Sequence, residues 1–237
     1  MKIKTIEAAN RESILNQVDL LSNQLFSNAL CIGDSAYQLT EIEFYLRSKD
    51  DSIFNDPYTY GHDLQLESYK LYAHASGLDI TFGNENFYVG VLIRGVAKFR
   101  DKHSFKTELE PKQHYNLEKI ISGPQKVATE LISNLAFDQQ NYLYFSPLFY
   151  ATAGPYPFVH IAKTIRHGLS KKEEYYHDLP LRHIGFFPID VIKNINENKN
   201  ITISNRTQII IDDYRNNRIQ NLDTVKLILG YIPSELR

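Results

Sequence analysis

The sequence predicts one α+β domain, a mixed and mostly antiparallel sheet packed with helices, and three observations carry that prediction. Residues 40–46, TEIEFYL, alternate polar and apolar with the two-residue period of a strand. Residues 87–94, FYVGVLIR, are apolar almost throughout, as a strand covered on both faces must be. Residues 10–29 instead place Ile14, Val18, Leu21 and Leu25 at the spacing of a helix stripe. No repeat or low-complexity linker divides the chain, and 237 residues at 43% apolar composition suit one sizeable core, so residues 1–237 read as a single domain.

In chain order, the first helix gives way at Gly33-Asp34-Ser35, a turn signal, to the TEIEFYL strand. Residues 49–63 are polar and broken by Asp56-Pro57 and Gly61, which makes them a loop bearing Tyr58, Tyr60 and His62. Asp63 is placed to cap a short helix that carries Tyr69, Leu71 and Tyr72 and ends near Gly77. Residues 78–82 and 87–94 then form two strands joined as a hairpin across 83–86. Ser122-Gly123-Pro124 opens a helix with proline in its first turn and Val127, Leu131 and Leu135 on its apolar side. Residues 142–158 are aromatic and broken by proline and glycine, an irregular segment suited to a lid or pocket wall. A basic stretch around Gly168 precedes a short strand at 184–188, residues 201–211 read as a strand, and a last helix starts near Asp223.

The formal charge of −2 implies no global attraction to nucleic acid or anionic membrane, so a polyanion needs a local basic patch. Lys163, Arg166, Lys171 and Lys172 could form one, and Lys126 at a helix N-terminus suits a phosphate. Cys31 is the single cysteine, which excludes an internal disulfide and a cysteine-rich zinc site and suits a reducing compartment. His74, His103, His114 and His160 lack ligand spacing, so no metal is expected. The first residues contain acids and no long apolar run, and no window reaches the roughly 20 apolar residues of a membrane span. The expected setting is cytoplasmic, without a membrane partner. Sixteen tyrosines with no tryptophan suit wet apolar surfaces on which bases or sugars stack, and suit equally the codon bias of an AT-rich genome.

On the TEIEFYL strand, Glu41, Glu43 and Tyr45 share the face opposite Ile42, Phe44 and Leu46. The two carboxylates stand about 6.5–7 Å apart along the strand, close enough to perturb one another. This segment resembles the catalytic E-T-E-A-Y segment of the alkyladenine (3-methyladenine) DNA glycosylase family. GVLIRG at 90–95 is similar to that family's V-L-I-R-A, and ISGPQKV at 121–127 with LAFDQQN at 135–141 looks like its G-P-x-K helix and trailing acidic segment. DLPLRH at 178–183 is similar to its P-L-R-F strand, and Arg166-His167-Gly168-Leu169 resembles its R-I-G-I. The pieces occur in the family's order and cover roughly residues 17–188. The family's R-x-x-M-F segment is not visible, and its Y-V-Y-x-x-Y-G stretch survives only as YKLY.

The resemblance implies an alkyladenine DNA glycosylase-like fold and assigns roles residue by residue. Glu43 falls on the glutamate that activates water, Arg94 and the backbone of Leu169 on groups that hold that water, and Tyr45 on a base-stacking tyrosine. Glu41 matches a preceding acid, and His62 is a candidate for the family's base-stacking histidine. Tyr72 falls on the tyrosine inserted into the DNA stack, and Tyr69 on an earlier tyrosine of that stretch. Asp79 replaces an asparagine that screens against normal guanine; an acid there accepts a hydrogen bond from an exocyclic amine. Lys126, Arg166 and Lys163 complete the expected DNA contacts.

The implied activity is monofunctional hydrolysis of the N-glycosidic bond of a flipped, damaged purine in double-stranded DNA, as in base excision repair. It is expected of a monomer without a cofactor. The chemistry is coherent: a carboxylate takes the proton of water and faces an oxocarbenium-like transition state, and aromatic walls hold the extruded base. No lysine in these motifs stands out as a Schiff-base nucleophile. Two other readings use the same residues: a catalytically silent nucleic-acid-binding relative, and a nucleoside or glycoside hydrolase working with Glu41 and Glu43.

Overall fold

A computed structural model describes residues 6–7, 10–50, 52–100, 117–135, 144–147, 158–195 and 204–237. In chain order its elements are α1 (Arg11–Phe26), β1 (Asn28–Ile32), β2 (Ser35–Ser48), a 3₁₀ turn (Asp63–Leu66), β3 (Ser68–His74), β4 (Gly77–Phe82) and β5 (Phe87–Phe99). There follow β6 (Leu117–Ser122), α2 (Pro124–Ser133), β7 (Tyr144–Pro147), β8 (His160–Thr164), α3 (Glu174–Asp178) and β9 (Arg182–Phe186). Three helices close the chain: α4 (Ile189–Ile195), α5 (Ser204–Arg215) and α6 (Leu222–Leu229). The architecture is the expected α+β class, and every described strand pair is antiparallel.

The main path of the nine-stranded sheet runs β3-β4-β5-β2-β1-β7, with β6 joined to β5, and with β9, which also pairs β8, joined to β2. Its two long strands, β2 and β5, each change partner along their length. β5 pairs β4 over residues 90–92 and β6 over 95–99, while β2 pairs β1 over 35–38 and β9 over 41–43. The apolar run read from FYVGVLIR is therefore central, as expected. α1, capped by the Asn10 side chain on the Ser13 N–H at 2.8 Å, and α2, opened by Pro124, bury their stripes in the principal core with Ile42, Phe44 and Leu46. α5 and α6 cover β8 and β9 in a separate cluster.

A β-bulge at Thr40 decides what β2 presents. Tyr37 and Leu39 face the principal core, and strict alternation would send Glu41 and Glu43 there too. The register shifts on both sides of Glu41 instead, so the core positions resume at Ile42 and the two acids turn to the other face with Tyr45. Across the sheet stands Gly95, where a Cβ would lie 2.5 Å from the Thr40 hydroxyl; the glycine leaves the room the bulge takes up.

Four expectations are corrected. The helix expected after Asp63 is one 3₁₀ turn, capped by His62, after which residues 68–74 pair with β4 as an edge strand. Tyr69 and Tyr72 therefore stand on a strand. Residues 204–211 of the expected 201–211 strand belong to helix α5, which buries Ile210 and Ile211 and leaves Ile209 partly covered; 201–203 lie outside the described residues. α1 ends at Phe26, because Asn28–Ile32 is buried throughout as β1. Of the expected irregular segment, residues 144–147 pair with β1 as a strand and 148–157 lie outside the described residues, as do 136–141 of the LAFDQQN segment.

Candidate active site

Glu43 is fully buried, and donors meet both of its oxygens. Oε1 accepts the His167 backbone N–H at 2.9 Å, and Oε2 accepts the Tyr45 hydroxyl at 3.0 Å and Arg94 Nη1 at 3.3 Å. Burial, reinforced by the neighbouring Glu43 charge, pushes the Tyr45 phenol well up, so it stays a protonated donor to that carboxylate.

Glu41, two residues earlier on the same face, meets three arginines from three elements. Arg94 Nε of β5 donates at 3.0 Å, Arg182 Nε of β9 at 3.0 Å, and Arg206 Nη2 of α5 approaches at 3.5 Å. Burial raises the Glu41 pKa, but Arg182, Arg206 and Arg94 outweigh it and hold the carboxyl below its usual range. Arg94 thus bridges the two acids with one guanidinium. These arginines open onto a cleft of about 960 Å³ that Lys119 and Lys126 also line, with Glu41 the acid among its walls. The cleft carries an excess of positive charge.

A second cavity, of about 230 Å³, lies on the Tyr45 side of Glu43 and is walled by Tyr45, Tyr58 and Tyr60. Gly168 and Leu169 line both cavities, so the loop that gives Glu43 its backbone donor also separates pocket from cleft. The pocket wall is braced from behind. The buried Arg166 guanidinium lies 4.9 Å from the Tyr45 ring centre and 5.0 Å from that of Tyr58, and it pairs with the equally buried Asp56. Tyr60 is largely exposed and meets His74 edge to face at 5.2 Å, at the pocket mouth.

The pocket's other wall holds a buried acid, Asp79 of β4. His74 Nε2 lies 2.9 Å from Asp79 Oδ1, and Gln65 Nε2 donates to Oδ2 at 3.4 Å. Burial raises the Asp79 pKa, and the bonds from His74 and Gln65 reduce that rise without cancelling it.

The sequence reading required Glu43, Arg94 and Tyr45 on one pocket, and the structure divides them: Tyr45 and Asp79 line the smaller cavity, Arg94 lines the cleft, Leu169 lines both, and the fully buried Glu43 lies between without lining either. Glu41 is the anion of the arginine cluster and lies outside the base pocket. His62 stacks on Tyr72 at 4.4 Å and caps the 3₁₀ turn, so it does not line the pocket. The backbone contact to Glu43 comes from His167, two residues before Leu169. Tyr69 packs against Phe82 in the core, while Tyr72 lies half-buried on the edge strand β3.

The expected basic patch does not form. Arg166 is buried with Asp56, Lys163 pairs with Asp19 at 2.6 Å, and Lys171 pairs with Glu174 at 3.0 Å. Lys126 does line the cleft. The sequence reading missed Arg182 and Arg206 as site residues; the PLRH motif was the one available signal for Arg182. Among the described residues no group of His, Cys, Asp and Glu is placed to hold a metal ion, and no helix is long and apolar enough to cross a membrane. Neither a protein-family model nor a curated protein sequence matches the chain.

Proposed function

We propose that the chain is a DNA glycosylase-like hydrolase that cleaves the N-glycosidic bond of a purine turned out of DNA, with Glu43 as the base that activates water. The observation that carries this reading is the position of Glu43. Its hydroxyl partner Tyr45 walls a tyrosine pocket, and its guanidinium partner Arg94 lines a cationic cleft. A base in the pocket and its phosphates in the cleft would hold the sugar beside that carboxylate. The ordered resemblance over residues 17–188 supports the same assignment.

In the step, water attacks the anomeric carbon while the C–N bond breaks and its electron pair leaves with the base. Glu43 takes the proton of water, and its charge faces the oxocarbenium-like centre. Oε2 already accepts two donors, so water reaches it when the Tyr45 hydroxyl or Arg94 gives way to substrate. The alternative with two working carboxylates lacks an acid, since three arginines keep Glu41 ionised.

Incubation with duplexes carrying one alkylated or deaminated purine tests the proposal. Free base and abasic strand are expected, with Glu43→Gln slower by roughly 10²–10⁴-fold and circular dichroism unchanged. No base release, or an unchanged rate in Glu43→Gln, ends the enzyme reading. The full burial of Glu43 favours a second reading, nucleic-acid binding without chemistry. Tight, salt-sensitive binding with no abasic product selects it.

A further inference from the structure

Three arginines from three elements share one carboxylate on the wall of the larger cleft. Arg94 of β5, Arg182 of β9 and Arg206 of α5 all reach Glu41, at 3.0 Å, 2.9 Å and 3.5 Å. A guanidinium carries more N–H donors than a carboxylate has acceptor sites, so Glu41 cannot satisfy three. The arginine side chains are 15%, 16% and 17% exposed and that of Glu41 8%, so the cleft meets mostly guanidinium. α5 is held in place by Ile210, buried in one cluster with Ile184 and Phe186 of β9, and Arg206 lies over the Phe186 ring at 5.7 Å. Burial, with the neighbouring Arg182 charge, pushes the Arg206 pKa down despite Glu41; this cation is short of counter-charge. Lys126 lines the same cleft at the start of α2, where Gly123 holds the cap position and no side chain caps the first N–H groups. Lys119, also on the cleft, is matched by Glu130 at 2.8 Å. Among the described residues, Arg94, Arg182, Arg206 and Lys126 thus answer to two carboxylates, Glu41 and Glu43, which leaves two positive charges in excess.

We propose that this cleft is a phosphomonoester site, in which Arg182, Arg206 and Lys126 bind the dianionic terminal phosphate of a nucleotide or of a 5′-phosphorylated strand. A phosphomonoester carries close to two negative charges near neutral pH, the excess that the cleft offers, whereas an internal phosphodiester carries one. Its terminal oxygens suit guanidiniums that arrive from separate elements, each binding phosphate through paired N–H groups. The uncapped start of α2 adds backbone donors on the same cleft. The site goes beyond the proposed hydrolysis, which needs only an anion in the cleft, and it does not depend on cleavage. Arg206 lies outside residues 17–188, so the resemblance assigns nothing to it.

Titration of the full chain with methyl phosphate and with dimethyl phosphate, followed by calorimetry or phosphorus resonance shifts, tests the proposal, because the two esters differ in charge and neither carries a base. Methyl phosphate is expected to bind about tenfold tighter, the worth of one further charge-assisted hydrogen bond. Arg206→Gln is expected to remove that preference, and Lys126→Gln, at an exposed position, to reduce it by about threefold. Equal binding of the two esters, no binding of methyl phosphate, or an unchanged preference in folded Arg206→Gln overturns the proposal. Where Arg206→Gln misfolds, Lys126→Gln decides in the same way. An oligonucleotide with a 5′-phosphate, its 5′-hydroxyl twin, a mononucleotide and its nucleoside then separate the sources. Tighter binding of the phosphorylated strand than of its twin identifies a strand end. Strands that bind alike, with the mononucleotide tighter than its nucleoside, identify a free nucleotide, and neither preference overturns the proposal. Methyl phosphate has no glycosidic bond, so its ranking stands or falls apart from base release from DNA.

Discussion

Replacing Arg166 with methionine separates a structural brace from a DNA contact. Arg166 and Asp56 are both fully buried, and Arg166 Nη2 also donates to the Tyr176 carbonyl at 2.9 Å while Nη1 donates to the Phe44 carbonyl at 3.1 Å. The Phe44 carbonyl lies on the edge of β2 just where its pairing with β9 ends, so Arg166 completes that edge. Methionine keeps the length and volume but leaves the Asp56 charge uncompensated, a loss of about 3–5 kcal/mol. Two buried carbonyls lose a donor as well. Urea unfolding followed by circular dichroism measures this against a total stability of about 5–15 kcal/mol. The double variant Arg166→Met/Asp56→Leu removes both charges and is expected to regain most of the loss. A phosphate-binding surface arginine would behave in the opposite way. Unchanged stability in Arg166→Met, with weaker DNA binding and a salt slope reduced by about one, would refute the brace.

Glu41→Gln leaves Arg94, Arg182 and Arg206 converging on a neutral amide, and is expected to cost about 3–5 kcal/mol in urea unfolding; an unchanged midpoint would mean that the cluster needs no anion. His183 of β9 is buried edge-on to Phe44, and burial pushes its pKa down to about 4. As pH falls below the unfolded value of about 6.5, the unfolded chain takes up a proton that the folded chain refuses until about pH 4. His183 therefore contributes stability above pH 6.5 that is lost toward pH 4, about 3 kcal/mol in all. His183→Leu is expected to flatten that fall when unfolding is measured across the window, and an identical pH profile would contradict it.

What the sequence made legible was local. β2 and β5 announced themselves through alternation and an unbroken apolar run, and α1 and α2 through stripe spacing with Asn10 and Pro124 at their starts. β3 was missed because SYKLYAH places Tyr69 and Tyr72 three apart, which suits a helix face as well as an irregular edge strand. α5 was missed because three consecutive isoleucines look like a strand when the surface they cover is unknown. Charges were read worst. Arg166 sits in a basic run that suggests solvent, yet its partner Asp56 lies 110 residues away. Arg182 and Arg206 reach Glu41 across 141 and 165 residues, a distance at which no spacing rule operates. The His74–Asp79 pair spans only five residues. It was within reach, but only once residues 68–82 are recognised as a hairpin, where Tyr72 and Asp79 are partners and His74 is the diagonal neighbour.

The difference between the two glutamates follows from their positions along one strand. Two residues apart, they share a face by alternation, and the bulge at Thr40 turns that face away from the principal core. Beyond that point their surroundings diverge. Glu41 lies where β9 and α5 deliver arginines, so its charge is matched several times over. Glu43 lies next to the 166–169 loop and Tyr45, so its partners are a backbone amide, a hydroxyl and a shared guanidinium. Arg94 couples them by hydrogen bonds to both, and Arg182 adds a longer link. Drawing Arg94 toward an anion in the cleft would cost Glu41 one of three cations and Glu43 the nearer of two, leaving Arg182 at 3.9 Å from Oε1. On the proposed reading that loss matters chemically. The same displacement opens Oε2 to water, so phosphate capture and the access of water to Glu43 become one event.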